Sequence, residues 1–477
     1  MASLRAAQVS VKVAVITLGC DKNTVDSERY LAELSDRGAE PTSDPDDADV
    51  ILVNTCGFID AAKKESIDAI VHAGRLKDEG RAKAVVAVGC MVERHRVELE
   101  DALPEVDLFL GASEMDRLVP ELIDRGFIDA APVAHPGVRV FAGDMPHVRY
   151  LKVSEGCDHG CAFCAIPLMR GKHRSFTLDD VVREAQLLEA QGAREINLVA
   201  QDLAHWGRDL RRASANDESL PMLLEALLRE TGVPWYRMLY LYNAGITPRL
   251  LELVATQGRI VPYFDMPIQH GSDDVLKRMR RPERNRTIRD KVARIREVVP
   301  DVAIRTTCIV GFPGETDDDF QTLLSLLEEV QFDRVGAFTY SPQEGTAAHA
   351  LTDDVPESLK LERLERLTEL QSAITSERFE QRIGRSVDAI VDRVTPMGIE
   401  ARTIWQAHDI DGVTRVMGAE GPAAACLPGD LLRVHIASVE DDVDLVAGVE
   451  RVVSRAAAAP RPARRVLPLA SIGSYGR

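Results

Sequence analysis

Three cysteines, Cys157, Cys161 and Cys164, stand at C-x-x-x-C-x-x-C spacing in the stretch S-E-G-C-D-H-G-C-A-F-C-A-I-P-L-M-R-G, residues 154–171. Thiols this close on one loop can converge on a single inorganic centre. A ferredoxin-type 4Fe-4S cluster takes four cysteines, one per iron, so three leave one iron free to hold something else. Two other readings of the same residues stand beside this one. Zinc is held by Cys and His in four-coordinate sites, and His159 or His173 could complete such a set. Unligated cysteines, the third reading, behave as small buried hydrophobes. Against zinc, structural zinc sites draw their ligands from two separated pairs, and no second Cys or His pair follows at that separation.

A second set is spread over seventy residues. Cys20 in L-G-C, Cys56 in N-T-C-G and Cys90 in V-G-C-M each come just after an apolar run, at residues 11–18, 50–53 and 84–88. Any one of them alone reads best as a core residue. Three equivalent positions, each beside a glycine, read differently. In an open parallel sheet ligands sit in the crevice beyond the carboxyl ends of the strands, where residues far apart in sequence converge. Cys20, Cys56 and Cys90 are therefore expected to ligate a second 4Fe-4S cluster, again with one iron open. Cys308, inside an apolar run, and Cys426 are expected to be structural.

With Phe163 before the last cysteine, the motif C-x-x-x-C-x-aromatic-C resembles the signature of radical S-adenosylmethionine (SAM) enzymes. The continuation I-P-x-x-R-G-x-x-R-S, residues 166–175, is similar to the methylthiotransferase branch of that superfamily. L-G-C-D-K-N-T-V-D-S-E, residues 18–28, resembles the amino-terminal domain of the same branch. The resemblance covers roughly residues 9–450. It implies two 4Fe-4S clusters and SAM as cofactors: one cluster supplies a 5'-deoxyadenosyl radical, and the other carries the sulfur that becomes a methylthio group. The hard chemistry is then the cofactors', and the protein positions and shields. Phe163, Gln201, Arg305 and the Gly311 loop are the SAM contacts that the resemblance implies.

The elements that must hold these residues follow from periodicity. From about residue 9 to 126, apolar runs alternate with amphipathic segments such as 24–37 and 59–76, the pattern of an α/β domain with an open parallel sheet and helices on both faces. Residues 127–144 are rich in Pro, Gly and Ala and read as a linker. From 145 to 380, six candidate strands (148–153, 195–200, 235–242, 261–268, 303–310 and 334–340) alternate with helices, which suggests a full or partial (β/α) barrel with its site at the strands' carboxyl ends. The cysteine loop, A-Q-D at Gln201, P-I-Q-H at Gln269 and G-F-P-G-E-T from Gly311 all fall there. The basic run of residues 278–286 reads most simply as a solvated turn, with contact to substrate or phosphate as the alternative. A long charged helix, 358–382, leads to short strand-like runs over 381–450, as in a small all-β barrel; position and pattern resemble the TRAM domain that ends methylthiotransferases. Residues 451–477, with six arginines and no acids, read as a disordered tail.

At 477 residues and 45% hydrophobic content the chain is expected to hold two to four domains. It has no run of eighteen apolar residues, and its first ten lack the apolar core of a signal peptide, so a cytoplasmic protein is expected. A net charge of -18 argues against a surface that embraces nucleic acid. Residues 383–450 carry twelve acids against five arginines and no lysine, which repels phosphate although related TRAM domains commonly grip RNA. Within the family, L-G-C-x-K-N-x-V-D-S-E and C-D-H-x-C-A-F-C resemble the branch that modifies the β-carbon of an aspartate on small-subunit ribosomal protein number twelve, a basic partner, free or within the ribosome. An electron donor is a further expected partner. The alternatives are 2-methylthio modification of a tRNA adenosine and, in another class, a non-catalytic zinc-binding ribosome adaptor.

Overall fold

Runs such as V-I-L-V-N-T and A-V-V-A-V-G are rich in β-branched residues and buried on both faces, which suits the centre of a parallel sheet rather than an alternating edge. The computed structural model describes residues 10–129, 139–140, 145–213, 218–396, 398–417, 425–441 and 443–456. These fall into two units, one with the chain up to Pro146 plus Ala165–Lys172, the other with His147–Cys164 and the chain from His173.

In the first unit five parallel strands, β1 (Lys12–Thr17), β2 (Glu40–Thr42), β3 (Val50–Thr55), β4 (Ala84–Gly89) and β5 (Leu108–Gly111), lie in the order β2-β1-β3-β4-β5. Helices α1 (Asp21–Asp36) and α4 (Leu118–Asp124) cover one face, with Tyr30, Leu34, Leu118 and Leu122 packed on Val13, Leu52 and Val86. The other face is covered by α2 (Asp60–Asp78) and α3 (Cys90–Ala102), through Ile70, Leu76, Met91 and Leu99 on Ile16, Ile51 and Val85. This is the expected arrangement. The strand order turns back between β1 and β3, which opens a crevice at their carboxyl ends. The short helix α5 (Ile166–Arg170) belongs to this unit too: Ala165, Ile166 and Met169 pack on Cys90. Most of the expected linker, residues 130–138 and 141–144, lies outside the described residues.

The second unit has six parallel strands in the order β13-β12-β11-β10-β9-β6. They are β6 (Val148–Lys152), β9 (Glu195–Val199), β10 (Trp235–Met238), β11 (Ile260–Asp265), β12 (Ala303–Val310) and β13 (Arg334–Thr339); β7 (Ser154–Glu155) and β8 (Arg174–Ser175) form a small antiparallel pair beside them. The sheet is an open partial barrel, with β6 and β13 as its edges. Helices α6 (Leu178–Ala190), α7 (Leu210–Ala213), α8 (Leu220–Glu230), α9 (Pro248–Thr256), α10 (Asp273–Arg278), α11 (Asn285–Val298) and α12 (Asp317–Val330) fill the connections. Two strands end well before their expected ends, β10 at Met238 and β11 at Asp265. After β10 the chain turns at Tyr240, and after β11 at Gln269, both in the left-handed region that a non-glycine residue adopts only under constraint.

Helix α13 (Glu357–Glu380) leads to a closed barrel of β14 (Ser386–Thr395), β15 (Gly398–Thr403), β16 (Thr414–Met417), β17 (Leu431–Glu440) and β18 (Asp444–Ser454), ordered β14-β15-β16-β18-β17. Two expectations change here. The strand β16 went unread because T-R-V-M is too short to show a period. β18 runs on to Ser454, paired with Leu431, so the first residues of the supposed tail are strand; residues 457–477 lie outside the described residues. Barrel and sheet are joined by buried charges: Arg402 binds Glu195 at 2.6 Å and Asp392 at 2.6 Å, Arg237 binds Glu195 at 2.8 Å, and His147 meets Asp392 at 2.9 Å.

Candidate metal centres and the cofactor cleft

The three strand-end cysteines of the first unit converge. Cys20 is the third residue beyond β1, Cys56 directly follows β3, and Cys90 begins α3 directly after β4. Gly19, at φ +93°, permits the approach: a Cβ there would stand 2.8 Å from Cys56 Cβ and 2.9 Å from its Sγ. Cys20 is half-buried, while Cys56 and Cys90 are buried. Burial pushes the Cys90 thiol up to about 12; the Arg170 charge opposes this, and the Cys20 and Cys56 sulfurs add to it. Burial likewise raises Cys56. The arrangement fits a cluster. Three cysteines stand at the carboxyl ends of neighbouring strands, burial keeps on the Cys56 and Cys90 thiols protons that a metal would displace, and this unit's sequence offers no fourth cysteine to close the set.

Side chains that the sequence reading passed over hold this group in place. Asn23 Nδ2 donates to the Leu18 carbonyl at 2.7 Å and the Thr55 carbonyl at 3.2 Å, tying the loops after β1 and β3 together. Arg170 donates from Nε to Cys90 Sγ at 3.0 Å, from Nη1 to Asp26 at 2.7 Å and from Nη2 to Asn23 Oδ1 at 2.5 Å. The only sequence signal was that these residues sit inside the two quoted motifs, K-N of residues 22–23 and R-G of residues 170–171.

The cysteine loop of the second unit is supported differently. Cys157, Cys161 and Cys164 are all half-buried. The His159 amide donates to Cys157 Sγ at 3.5 Å and the Cys164 amide to the Cys161 carbonyl at 3.2 Å, so the loop curls round its own sulfurs. Burial pushes the Cys157 thiol up to about 11; the His159 amide opposes this, and Asp202 and Cys161 add to it. His159 Nε2 is engaged by Asp202 at 2.7 Å, and His173 Nε2 by Ser175 Oγ at 3.1 Å. Each histidine weighed as a fourth zinc ligand thus has its Nε2 engaged, although the buried Nδ1 of His173 has no hydrogen-bond partner among the described residues and His159, Asp202 and His205 bring ligand atoms within 4.8 Å of one another. Asp202 also accepts from the amides of Ala204 at 3.0 Å and Tyr242 at 3.3 Å, and the His159 ring stacks on Tyr242 at 3.9 Å. One buried carboxylate therefore fixes the cysteine loop to the ends of β9 and β10. Arg281, expected in a solvated turn, is buried instead: it lies over Tyr242 at 4.0 Å and donates to Cys161 Sγ at 3.7 Å and the Pro267 carbonyl at 2.8 Å.

Of the other expected contacts, Phe163 lies in the cysteine loop, Gln201 and Gly311 just beyond β9 and β12, and Arg305 within β12. Phe163 packs half-buried beside Ala162, Phe312 and Tyr340. Gln201, two residues beyond β9, donates to Glu155 at 2.9 Å, which also takes Lys152 at 2.6 Å. Gly311, directly after β12, has φ +70°, and a Cβ there would meet Lys360 Cγ at 2.3 Å. Arg305 stands apart from this group. It is the third residue of β12, about 20 Å of strand before Gly311. It pairs with Asp265 at 3.3 Å and lines a cleft of about 400 Å³ with Arg334, Gln371 and Asp411. Cys308 is wholly buried in β12, a core residue as expected.

Three family matches run along the chain in the order of these parts. Residues 12–111 match the uncharacterized protein family UPF0004, residues 151–327 the radical SAM superfamily, and residues 383–449 the TRAM domain. Fold and match together define a radical SAM enzyme, for which an iron-sulfur cluster and SAM are the cofactors. A solved structure, the radical SAM methyltransferase TsrM from Kitasatospora setae with tryptophan and a SAM analogue bound, has a TM-score of 0.53 over 76% of this chain and 89% of that one; at 13% identity this is a likeness of fold. Full-length relatives narrow the class. The chain is 42% identical to ribosomal protein uS12 methylthiotransferase RimO of Anaeromyxobacter sp. (strain Fw109-5) over 98% of each chain. It is 40% identical to the RimO of Geobacter sulfurreducens over 92% of this chain and 98% of that one, and 39% identical to that of Aquifex aeolicus over 90% and 96%. The chain belongs to the RimO family of methylthiotransferases. Among the described residues no helix is long and apolar enough to cross a membrane.

Proposed function

We propose that this chain adds a methylthio group to the β-carbon of an aspartate of ribosomal protein uS12, in the cytoplasm, with an electron donor and with the substrate free or within the ribosome. Its agreement with relatives of that name over nearly the whole of both chains carries the reading. The acidic small barrel supports a basic protein partner over RNA by complementary potential. Two 4Fe-4S clusters are proposed, one on Cys20, Cys56 and Cys90 and one on Cys157, Cys161 and Cys164, within domains at residues 9–126, 145–380 and, with β18 included to its end, 381–454. When bound, these clusters and SAM supply the radical and the methylated sulfur that an unactivated C–H bond requires.

The chain's own residues bind and orient. Each triad withholds a fourth thiolate, so each centre keeps a position for a non-protein ligand. Phe163, Gln201 and the Gly311 loop, gathered beside the second triad's loop or at strand ends, are proposed as SAM contacts; Arg305 is left out because it belongs to the base of β12. The Asp202 carboxylate keeps the His159 ring and the cysteine loop in one orientation.

Iron and sulfide content of anaerobically reconstituted protein, beside the variant with Cys157, Cys161 and Cys164 all changed to alanine, tests the assignment. About eight irons in the parent and about four in the variant are expected. About four and none would mean that the strand-end cysteines are structural. Mass spectrometry of uS12 and of bulk tRNA after turnover then tests the substrate: a methylthio mass increment on tRNA alone overturns the protein-modifying reading.

A further inference from the structure

One cationic side chain in the first unit is aimed at a cysteine sulfur and held there by groups other than that sulfur. Arg170 is buried, with 3% of its side chain exposed. Its Nη1 is fixed by Asp26, which is 5% exposed, and its Nη2 by Asn23, whose own amide is anchored to the Leu18 and Thr55 carbonyls. Those bonds set the guanidinium plane. The third donor, Nε–H, then points at Cys90 Sγ at 3.0 Å. An anchor for α5 needs only the pair with Asp26. Met169 and Ile166, packed on Cys90, keep water from competing for the sulfur.

We infer that Arg170 is a positioning residue that sets the reduction potential of the centre on Cys20, Cys56 and Cys90, by its hydrogen bond and charge at the Cys90 sulfur. The inference rests on the ligand assignment proposed above. Hydrogen bonds to cluster sulfurs and the net charge around a cluster are principal determinants of its potential. Reduction adds an electron, which the sulfurs share. A donor already in place favours the reduced state, and its removal disfavours it. Asp26 offsets part of the Arg170 charge, but it faces Nη1, so the directed bond to sulfur from Nε is left intact.

The test uses the full chain carrying Cys157→Ala, Cys161→Ala and Cys164→Ala, so that a single cluster is read. Reconstituted protein is compared with the same chain carrying Arg170→Gln or Arg170→Lys, by iron content and by a redox titration followed by electron paramagnetic resonance. Expected are about four irons throughout. Arg170→Gln should disfavour one-electron reduction at least tenfold, about 59 mV more negative, with Arg170→Lys in between because it keeps charge without the directed Nε bond. An unchanged potential in iron-loaded Arg170→Gln overturns the inference. If that variant fails to load, Arg170→Lys decides: a potential equal to the parent's overturns it, and a more negative one supports it. A parent without iron removes the ligand assignment itself and the inference with it, a failure distinct from an unmoved potential.

Discussion

The two cysteine triads reach the same donor set by opposite routes. Cys157, Cys161 and Cys164 lie on one loop eight residues long, so chain connectivity brings the sulfurs together before any tertiary contact forms. Cys20, Cys56 and Cys90 are brought together by β1, β3 and β4, and their spacing in space is the spacing of neighbouring parallel strands. The local triad needs support to hold its loop, which Asp202, His159 and Tyr242 give. The dispersed triad needs a correctly registered sheet, which Val13↔Val50 and Val50↔Ala84 pairing gives. A metal centre can thus be encoded in a motif or in a topology, and the two fail differently.

The sharpest break is at the ligands. Cys161→Ala should reduce SAM cleavage, read as 5'-deoxyadenosine formed under a strong reductant, to the assay background; cleavage at the parent rate would remove the local triad from the chemistry. Cys56→Ala should leave cleavage intact, lower iron from about eight to about four per chain and abolish methylthio transfer. Retention of eight irons would return the strand-end cysteines to the core. Next in size is the support of the local loop. Asp202→Ala frees the His159 ring and two amides, and a loss of about 10–100-fold in cleavage is expected, the usual effect of removing a group that orients a ligand loop; a parent rate would make the Asp202 contacts incidental. Ile51→Ala, a wholly buried residue under the sheet, should cost about 2–4 kcal/mol in the first unit. On mild heating it should release the dispersed triad's iron before the local triad's, and simultaneous release would contradict the contrast drawn above.

The smallest effect concerns pH. Burial pushes the Glu195 carboxyl up, but the charges of Arg402 and Arg237 outweigh it and hold the group at about 2, below its ordinary 4.5. A depressed carboxylate contributes stability above the unfolded value and loses it as pH falls to the folded one. The second unit should therefore lose about 3 kcal/mol between about pH 4.5 and 2 on this account. Glu195→Gln, less stable at neutral pH because it leaves Arg402 and Arg237 short of a charge, should show a shallower acid slope in chemical denaturation.

The same contrast explains what the sequence made legible. Spacing alone exposes the local triad, and the position after three apolar runs exposes the dispersed one, because both signals are short-range. The alternating pattern likewise showed both sheets and which ends would carry the loops. Arg170 and Asn23 could not be paired from the sequence, being 147 residues apart and joined only by tertiary folding. Arg281 was read as solvated because a run of arginines at residues 278–286 carries no sign of which one turns inward; Arg280 in the left-handed region directs the chain so that Arg281 meets Tyr242. Arg305 entered through the resemblance alone, and its place as the third residue of β12, paired with Asp265, could not be read from a motif. β16 was missed because four residues are too few to show a period, and the end of β18 because residues 451–454 open an arginine-rich stretch without acids whose composition reads as tail.

The buried charges at Glu195, Arg237, Arg402 and Asp392 have a meaning for recognition. A small barrel on a loose tether samples many orientations, and a partner that binds it must give up that freedom before its reactive group finds the right place. Here Arg402 clasps carboxylates from both barrel and sheet, so the barrel is already oriented. Whatever docks on it inherits that orientation, and the local concentration of its target group at the strand ends is set by the fold rather than by the length of a linker.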